Sequence, residues 1–305
     1  MSRITAASST SVATGRMLSG LVRTMRPKQW TKNGVVFAAL IFSRRFEEPA
    51  SVLSATLAFA TFCLLSSTVY LMNDVFDLAN DRLHPTKRKR PIASGEVPPA
   101  AAVAVSIGLG AGSLAGAFFV SPALAATGAV YLVMNLLYSA WLKNVVIVDV
   151  MVIAMGFVLR AVAGGQAIGV EVSAWLILCT ILLSLFLALC KRRQELALLA
   201  DAAEHRGILK EYSVQFLDQM ITIVTAATVV AYSSYTLAPD VQEKLGTGDL
   251  YLTVPFVIYG IFRYLYLVHR RDMGGSPSDV LLADRPLLVS ILLWGAAAVL
   301  ILYVS

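Results

Sequence analysis

The sequence predicts an all-α, polytopic membrane protein, a bundle of nine transmembrane helices, and three observations carry that prediction. Of 305 residues, 57% are hydrophobic and only 14% charged, with a mean hydropathy of +0.72. A soluble domain of this length carries roughly 25% charged residues. Nine apolar stretches recur along the chain, most near the ~20 residues that a helix needs to cross a bilayer. Once those stretches alternate in direction, the basic side chains fall almost entirely on one side, as orientation in a membrane requires.

The stretches lie near 34–43, 52–72, 99–120, 122–142, 145–168, 173–190, 214–237, 250–268 and 286–304. The first has a short apolar part, preceded by the amphipathic run Arg26-Pro27-Lys28-Gln29-Trp30. Residues 1–15 are rich in Ser, Thr and Ala and read as a disordered tail. Residues 16–305 then form one membrane domain, with polar loops near 78–98 and 191–213. Arg23, Arg26, Lys28 and Lys32 interrupt the segment after the tail, which argues against a cleaved signal peptide.

With the N-terminus in the cytoplasm, the inner side holds the cations from Arg3 to Lys32, Arg82 with Lys87 to Arg90, and Lys143. It also holds Lys191 to Arg193, Arg206, Lys210, Arg263, Arg270, Arg271 and Arg285. Only Arg44, Arg45 and Lys244 fall outside, and Arg160 sits within a span. This places a multi-pass protein in the plasma membrane with its C-terminus outside. The net charge of +6 thereby goes to membrane orientation and anionic ligands. No interleaving of basic and aromatic residues supports a nucleic-acid partner. Cys63, Cys179 and Cys190 lie in apolar stretches and read as small buried hydrophobes. His84, His205 and His269 have no metal-ligand spacing.

The strongest chemical signal is Asn73-Asp74-x-x-Asp77-x-x-x-Asp81 at the end of the second apolar stretch. Offsets of three and four put the three aspartates on one helix face, with Asn73 adjoining. Three carboxylates on one face near a membrane repel unless something positive neutralises them. Mg²⁺ suits hard oxygen ligands and commonly combines one or two carboxylates with phosphate oxygens. The motif therefore reads as a Mg²⁺–diphosphate site, with Asn73, Asp74, Asp77 and Asp81 as metal ligands. A solvated acidic helix end is the plainer alternative, but it leaves the following basic run unexplained. That run, His84-Pro85-Thr86-Lys87-Arg88-Lys89-Arg90-Pro91, reads as a membrane-orienting anchor or as a phosphate clamp.

Asn73-Asp74-x-x-Asp77-x-x-x-Asp81 with Lys87-Arg88-x-Arg90-Pro91-x-x-x-Gly95 resembles the first signature of the UbiA superfamily of intramembrane prenyltransferases. Arg26-Pro27-x-Gln29-Trp30-x-Lys32-Asn33 and Tyr138-x-x-x-x-Lys143 resemble further parts of that pattern. The resemblance implies a helical bundle with a central cavity open to the cytoplasmic face, Mg²⁺ dependence and a polyprenyl substrate among the helices.

The superfamily's second Asp-rich motif is not matched. That region reads Lys143-Asn144-x-x-x-x-Asp149 and then Leu159-Arg160-Ala-x-Ala-Gly164-Gly165, followed by Lys191-Arg192-Arg193-x-Glu195. Asp149 and Arg160 return to nearly the same helix face, so they line one cavity or form a structural ion pair. This variant pattern resembles an actinobacterial branch of the superfamily that moves a sugar phosphate. In that branch the diphosphate belongs to 5-phosphoribose 1-diphosphate, and polyprenyl (decaprenyl) phosphate is the acceptor, for arabinan cell-wall precursors.

The resemblance implies that Asp74, Asp77 and Asp81 carry catalysis with Mg²⁺. Candidates for phosphate binding are Lys28, Lys32, Lys87, Arg88, Arg90, Lys143, Arg160, Lys191 and Arg192. Asp149 lines the same cavity, and Tyr70, Tyr138 and Phe157 are candidates for the path of the lipid tail. The absence of a His-Asp or Ser-His constellation suits an acceptor that is already an anion. Two rivals follow: transfer of a prenyl group from a prenyl diphosphate to an aromatic or quinone precursor, and a transporter that uses Asp149 and Arg160 as a path. The second lacks inverted repeats and Gly/Pro-broken helix pairs. A homo-oligomer is compatible with the sequence.

Overall fold

The computed structural model describes residues 2–198, 207–271, 273–275 and 277–303. His205, Arg206 and Ser276, which the sequence places in cytoplasmic loops, lie outside the described residues. So do the side chains of residues 2–13, including Arg3, on which the expectation of a disordered tail largely falls.

Every regular element among the described residues is helical. The α-helices are α1 (Ser2–Met25), α2 (Ala38–Phe42), α3 (Pro49–Phe76), α4 (Leu78–Leu83), α5 (Pro99–Val120), α6 (Pro122–Ala140) and α7 (Val148–Ile168). They continue with α8 (Ala174–Leu198), α9 (Val214–Leu237), α10 (Pro239–Leu245), α11 (Val254–Arg270), α12 (Pro277–Ala283) and α13 (Arg285–Tyr303). Among the described residues, eight helical segments, containing α3, α5, α6, α7, α8, α9, α11 and α13, are long and apolar enough to cross a membrane.

The first expected span is built differently. Pro27–Phe37 is a 3₁₀ helix of 11 residues, followed by the five-residue α2. The chain turns into it at Arg26, which adopts left-handed φ 54° and ψ 60° ahead of Pro27. The residue before a proline is disfavoured in the ordinary helical region, so α1 cannot run straight on. A 3₁₀ helix rises ~2.0 Å per residue against ~1.5 Å for an α-helix. These two pieces together therefore reach about 30 Å, the thickness of a hydrocarbon core.

Contacts place the two ends of that segment at opposite ends of the bundle. Arg26 bonds Asp74 near the end of α3. Beyond α2, Arg44 donates to the carbonyl of Leu245 at 3.0 Å and Arg45 to that of Ile168 at 3.2 Å.

Helix starts follow ordinary chemistry. α3, α5, α6 and α10 each have proline in the first turn, where the missing N–H costs nothing. Ser121 caps α6 and Ser213 caps α9 by accepting from Leu124 and Phe216 backbone N–H groups. Packing uses small residues, as expected where lipid supplies no hydrophobic drive between helices. α5 buries Ala102, Ser106, Gly110, Ser113 and Ala117 along one face, and an added side chain at Gly110 would meet Thr68 of α3. One core joins the 3₁₀ segment with α3, α6 and α7 around Phe62, Leu65 and Tyr131. Another joins α8, α9, α11 and α13 around Phe186, Leu217 and Tyr264.

Asp284 caps α13, accepting from the Leu287 N–H at 2.9 Å while Arg263 donates to it at 2.8 and 3.1 Å. Those Arg263 bonds hold its carboxyl below the ordinary carboxylate range. The depressed value means that its contribution is present above the ordinary carboxylate range and is lost as the pH falls through the lowered value. Asp284→Ala should lower stability by about 1 kcal/mol, the usual cost of a lost cap. Asp284→Asn, which keeps an acceptor oxygen, should cost less. Thermal unfolding in detergent at neutral and at acid pH checks both, and the gap between Asp284→Asn and the parent should close in acid while Asp284→Ala stays lower.

Candidate active site

Asp74, Asp77 and Asp81 do share one end of the bundle, but the helix bends between them. α3 ends at Phe76, and Asp77 takes φ −87° and ψ 1° before α4 begins. Asp74 and Asp81 are buried and converge on Arg90, whose Nη1 lies 3.1 Å from Asp74 Oδ1 and 2.7 Å from Asp81 Oδ2. Arg26 adds a bond to Asp74 Oδ1 at 2.6 Å and stacks over the Tyr70 ring at 4.8 Å. Asp77 turns to the other side, where Lys143 Nζ reaches Oδ1 at 2.5 Å and Asn73 donates to Oδ2 at 3.2 Å.

Among the described residues no three His, Cys, Asp or Glu side chains form a ready-made metal cluster. The expected tetrad is instead closed by the protein's own cations. The donor set nevertheless fits a hard dication. It consists of carboxylates with an amide oxygen, and two of the carboxylates already bridge a single positive atom, Arg90 Nη1.

The basic run divides in two. Arg90 enters the acidic cluster, whereas Arg88 and Lys89 are exposed and Lys87 is partly buried. The His84 ring accepts from the Thr86 and Lys87 N–H groups, which fixes the turn. Gly95 closes the loop at φ 82°, a conformation that glycine adopts without strain. Lys28 is exposed and Lys32 partly buried on the 3₁₀ segment.

Of the two readings of Asp149 and Arg160, the ion pair is not made. Asp149 pairs with Arg192 of α8, Nε to Oδ2 at 2.7 Å, and both are fully buried. Arg192 also bonds Glu195 at 2.5 Å and Tyr138 at 3.4 Å, while Lys191 lies 3.8 Å from Glu195. The helical repeat brings residues 149 and 160 to one face, but eleven residues span ~16 Å along the axis, too far for a bond.

Arg160 is held by neutral groups instead. It donates to Asn33 Oδ1 at 2.7 Å, the Gly156 carbonyl at 2.7 Å and the Tyr131 hydroxyl at 2.8 Å. Its guanidinium lies 4.8 Å from the Tyr131 ring centroid and 5.2 Å from that of Phe157. It is 7% exposed, and no described carboxylate pairs with it.

Sequence reasoning missed Arg26, Asn33, Tyr131 and Tyr212 as site or supporting residues. Only the Arg26-to-Asn33 run carried a signal for two of them. Tyr212 donates to Asp149 Oδ1 at 2.8 Å and accepts from the Ile147 N–H at 2.7 Å. Burial pushes its phenol up to about 12, so it keeps its proton to donate.

The fold and the site define a polytopic membrane protein, an all-helical bundle with carboxylates, arginines and lysines gathered at one end. The chain belongs to the UbiA prenyltransferase family, whose profile matches residues 34–279. It is 37% identical over 283 residues to the decaprenyl-phosphate phosphoribosyltransferase of Mycobacterium tuberculosis H37Rv, covering 91% of this chain and 92% of that one. The enzyme of the same name from Corynebacterium glutamicum is 35% identical, over 94% of this chain and 88% of that one. In fold the chain is similar to a UbiA homologue from Archaeoglobus fulgidus bound to GPP and Mg²⁺, with a TM-score of 0.71 and 20% identity. That likeness covers 92% of this chain and 99% of that one.

Proposed function

We propose that the protein transfers 5-phosphoribose from 5-phosphoribose 1-diphosphate to a polyprenyl phosphate, decaprenyl phosphate in the relatives' name; diphosphate leaves, and the lipid-linked pentose phosphate serves arabinan precursor synthesis. The observation that carries this reading is the surplus of cations. Arg160 is buried without a described carboxylate partner, and Lys32 makes no hydrogen bond or ion pair with another described residue. A site for one metal-bound diphosphate leaves those charges unbalanced. Two anionic substrates, donor and lipid phosphate, balance them.

The acceptor phosphate oxygen forms a bond to ribose C1 as the C1–O bond to diphosphate breaks, and the leaving group carries away the electron pair. The nucleophile is already an anion, so no general base is required. Asp74, Asp77, Asp81 and the Asn73 oxygen are the residues that would hold Mg²⁺, which supplies charge stabilisation to the departing diphosphate. Arg26, Arg90 and Lys143, which neutralise the carboxylates here, stand where they can bind diphosphate oxygens and steady the same developing charge. Arg160 and Lys32 face the second anion. The apolar helices hold the isoprenoid tail, and Tyr70, Tyr138 and Phe157 bear on the substrates through Arg26, Arg192 and Arg160.

Pro27–Phe42 makes a ninth crossing in this reading. The N-terminus and the acidic end then lie on the cytoplasmic side of the plasma membrane, where a water-soluble donor is available, and the C-terminus lies outside.

Purified protein supplied with labelled 5-phosphoribose 1-diphosphate, polyprenyl phosphate and Mg²⁺ should place label in the lipid fraction. Transfer from a prenyl diphosphate to an aromatic acceptor, with no lipid-linked ribose phosphate, would overturn the assignment.

A further inference from the structure

The link between α6 and α7 carries a backbone conformation that branched side chains avoid. Ile147 has φ 67° and ψ −43°, and the Val148 N–H donates to the Val146 carbonyl at 2.7 Å. This is the rare γ-turn with positive φ, a strained form, here with a β-branched residue at its centre. Such a conformation persists only where the surroundings hold it.

The group that holds it is the Tyr212 hydroxyl. It accepts the Ile147 N–H at 2.7 Å and donates to Asp149 at 2.8 Å, two residues into the next helix. Tyr212 is itself fixed by burial and by stacking on Phe216, ring centroids 6.2 Å apart. The carboxylate it meets is anchored by Arg192. One phenol thus bridges the strained residue and the start of α7.

The same short link bears Lys143, whose ammonium sits 2.5 Å from Asp77. Three residues separate Lys143 from Ile147, and hydrogen bonds from Val145 to Leu142 and from Asp149 to Val145 tie the intervening turns together. Any relaxation at Ile147 is therefore passed to Lys143.

We propose that Tyr212 is a positioning residue: through the γ-turn at Ile147 it sets Lys143 against Asp77 for binding of the diphosphate group. This rests on the reading of the Asp74–Asp81 end as a diphosphate site, and the test separates the two. Tyr212→Phe keeps the ring stacking and removes only the hydroxyl. Ile147→Gly lets the turn take positive φ without strain. Binding of inorganic diphosphate in the presence of MgCl₂ is measured by calorimetry on the purified full chain, beside turnover of the labelled donor.

Tyr212→Phe should weaken diphosphate binding by about tenfold, and adding Ile147→Gly should restore it to within about threefold of the parent. In a Lys143→Gln background, Tyr212→Phe should add less than about twofold, because both changes remove one coupled arrangement. Unchanged binding in Tyr212→Phe, a loss that Ile147→Gly does not relieve, or full additivity with Lys143→Gln would each overturn the proposal. If Tyr212→Phe alone does not fold, the strain-relieved double variant carries the test, and loss of diphosphate binding in that folded double variant refutes it. A parent protein that binds diphosphate but makes no lipid-linked ribose phosphate refutes the proposed reaction and leaves this inference standing.

Discussion

Asp81→Asn should lower turnover by roughly a thousandfold or more while leaving a folded protein, because the site loses a negative charge that would hold the metal against diphosphate. The asparagine keeps an oxygen for Arg90, which lies 2.7 Å from Asp81 and remains paired with Asp74. The unfolding temperature should therefore move little beside the fall in rate. Asp77→Asn should behave alike, since it leaves Lys143 facing a neutral amide in place of a carboxylate. Rates over a Mg²⁺ titration, beside thermal unfolding, separate loss of chemistry from loss of fold. Near-normal Mg²⁺-dependent transfer in either variant would sink the metal role.

Gly164→Ala should be the most damaging substitution of a single methyl group in the bundle. A Cβ on Gly164 would lie 2.0 Å from the Val36 carbonyl oxygen and 2.9 Å from its carbon, both backbone atoms that cannot swing aside. Helix α7 and the 3₁₀ segment must separate, at a cost of about 3 kcal/mol, the upper range for overpacking. Because Val36 follows Asn33 and Lys32 on the same segment, activity should fall with stability. Gly112→Ala offers the contrast, with nothing within 4 Å of its added atom. There the change should be neutral or should stabilise by up to about 1 kcal/mol through helix propensity. Thermal unfolding of the two variants side by side is the measurement, and equal midpoints would contradict the packing argument.

What could be read from the chain was whatever lies close together along it. The Asn73-to-Asp81 spacing and the eight long apolar helices are local patterns, and the structure contains them. Partners were not readable, because they come from far away: Arg26 meets Asp74 across 48 residues, Tyr212 meets Asp149 across 63, and Arg160 meets Asn33 across 127. Asp149 and Arg160 illustrate the failure directly. Periodicity placed them on one face, but a side chain chooses its partner from neighbouring helices that the pattern does not contain. The segment from Pro27 looked short in the sequence for another reason. A search for apolar α-helical stretches counts residues at 1.5 Å each, and the segment starting at Pro27 advances further with each residue.

That segment also obeys a different geometry. In a 3₁₀ helix, residues three apart eclipse one another, so Pro27–Phe37 is a three-sided column. One edge carries Trp30, Asn33 and Val36, which meet Ser67, Cys63 and Arg160, and the backbone beside Gly164. A second edge carries Lys28, Thr31 and Gly34, all exposed. The third carries Gln29, Lys32 and Val35, each partly buried. Reading this stretch in triplets sorts anchor from open surface, and lengthening it by one residue would turn every downstream side chain onto the neighbouring edge. The interval between Trp30 and Asn33 is thus a ruler for the whole segment, set by the bundle wall it leans on.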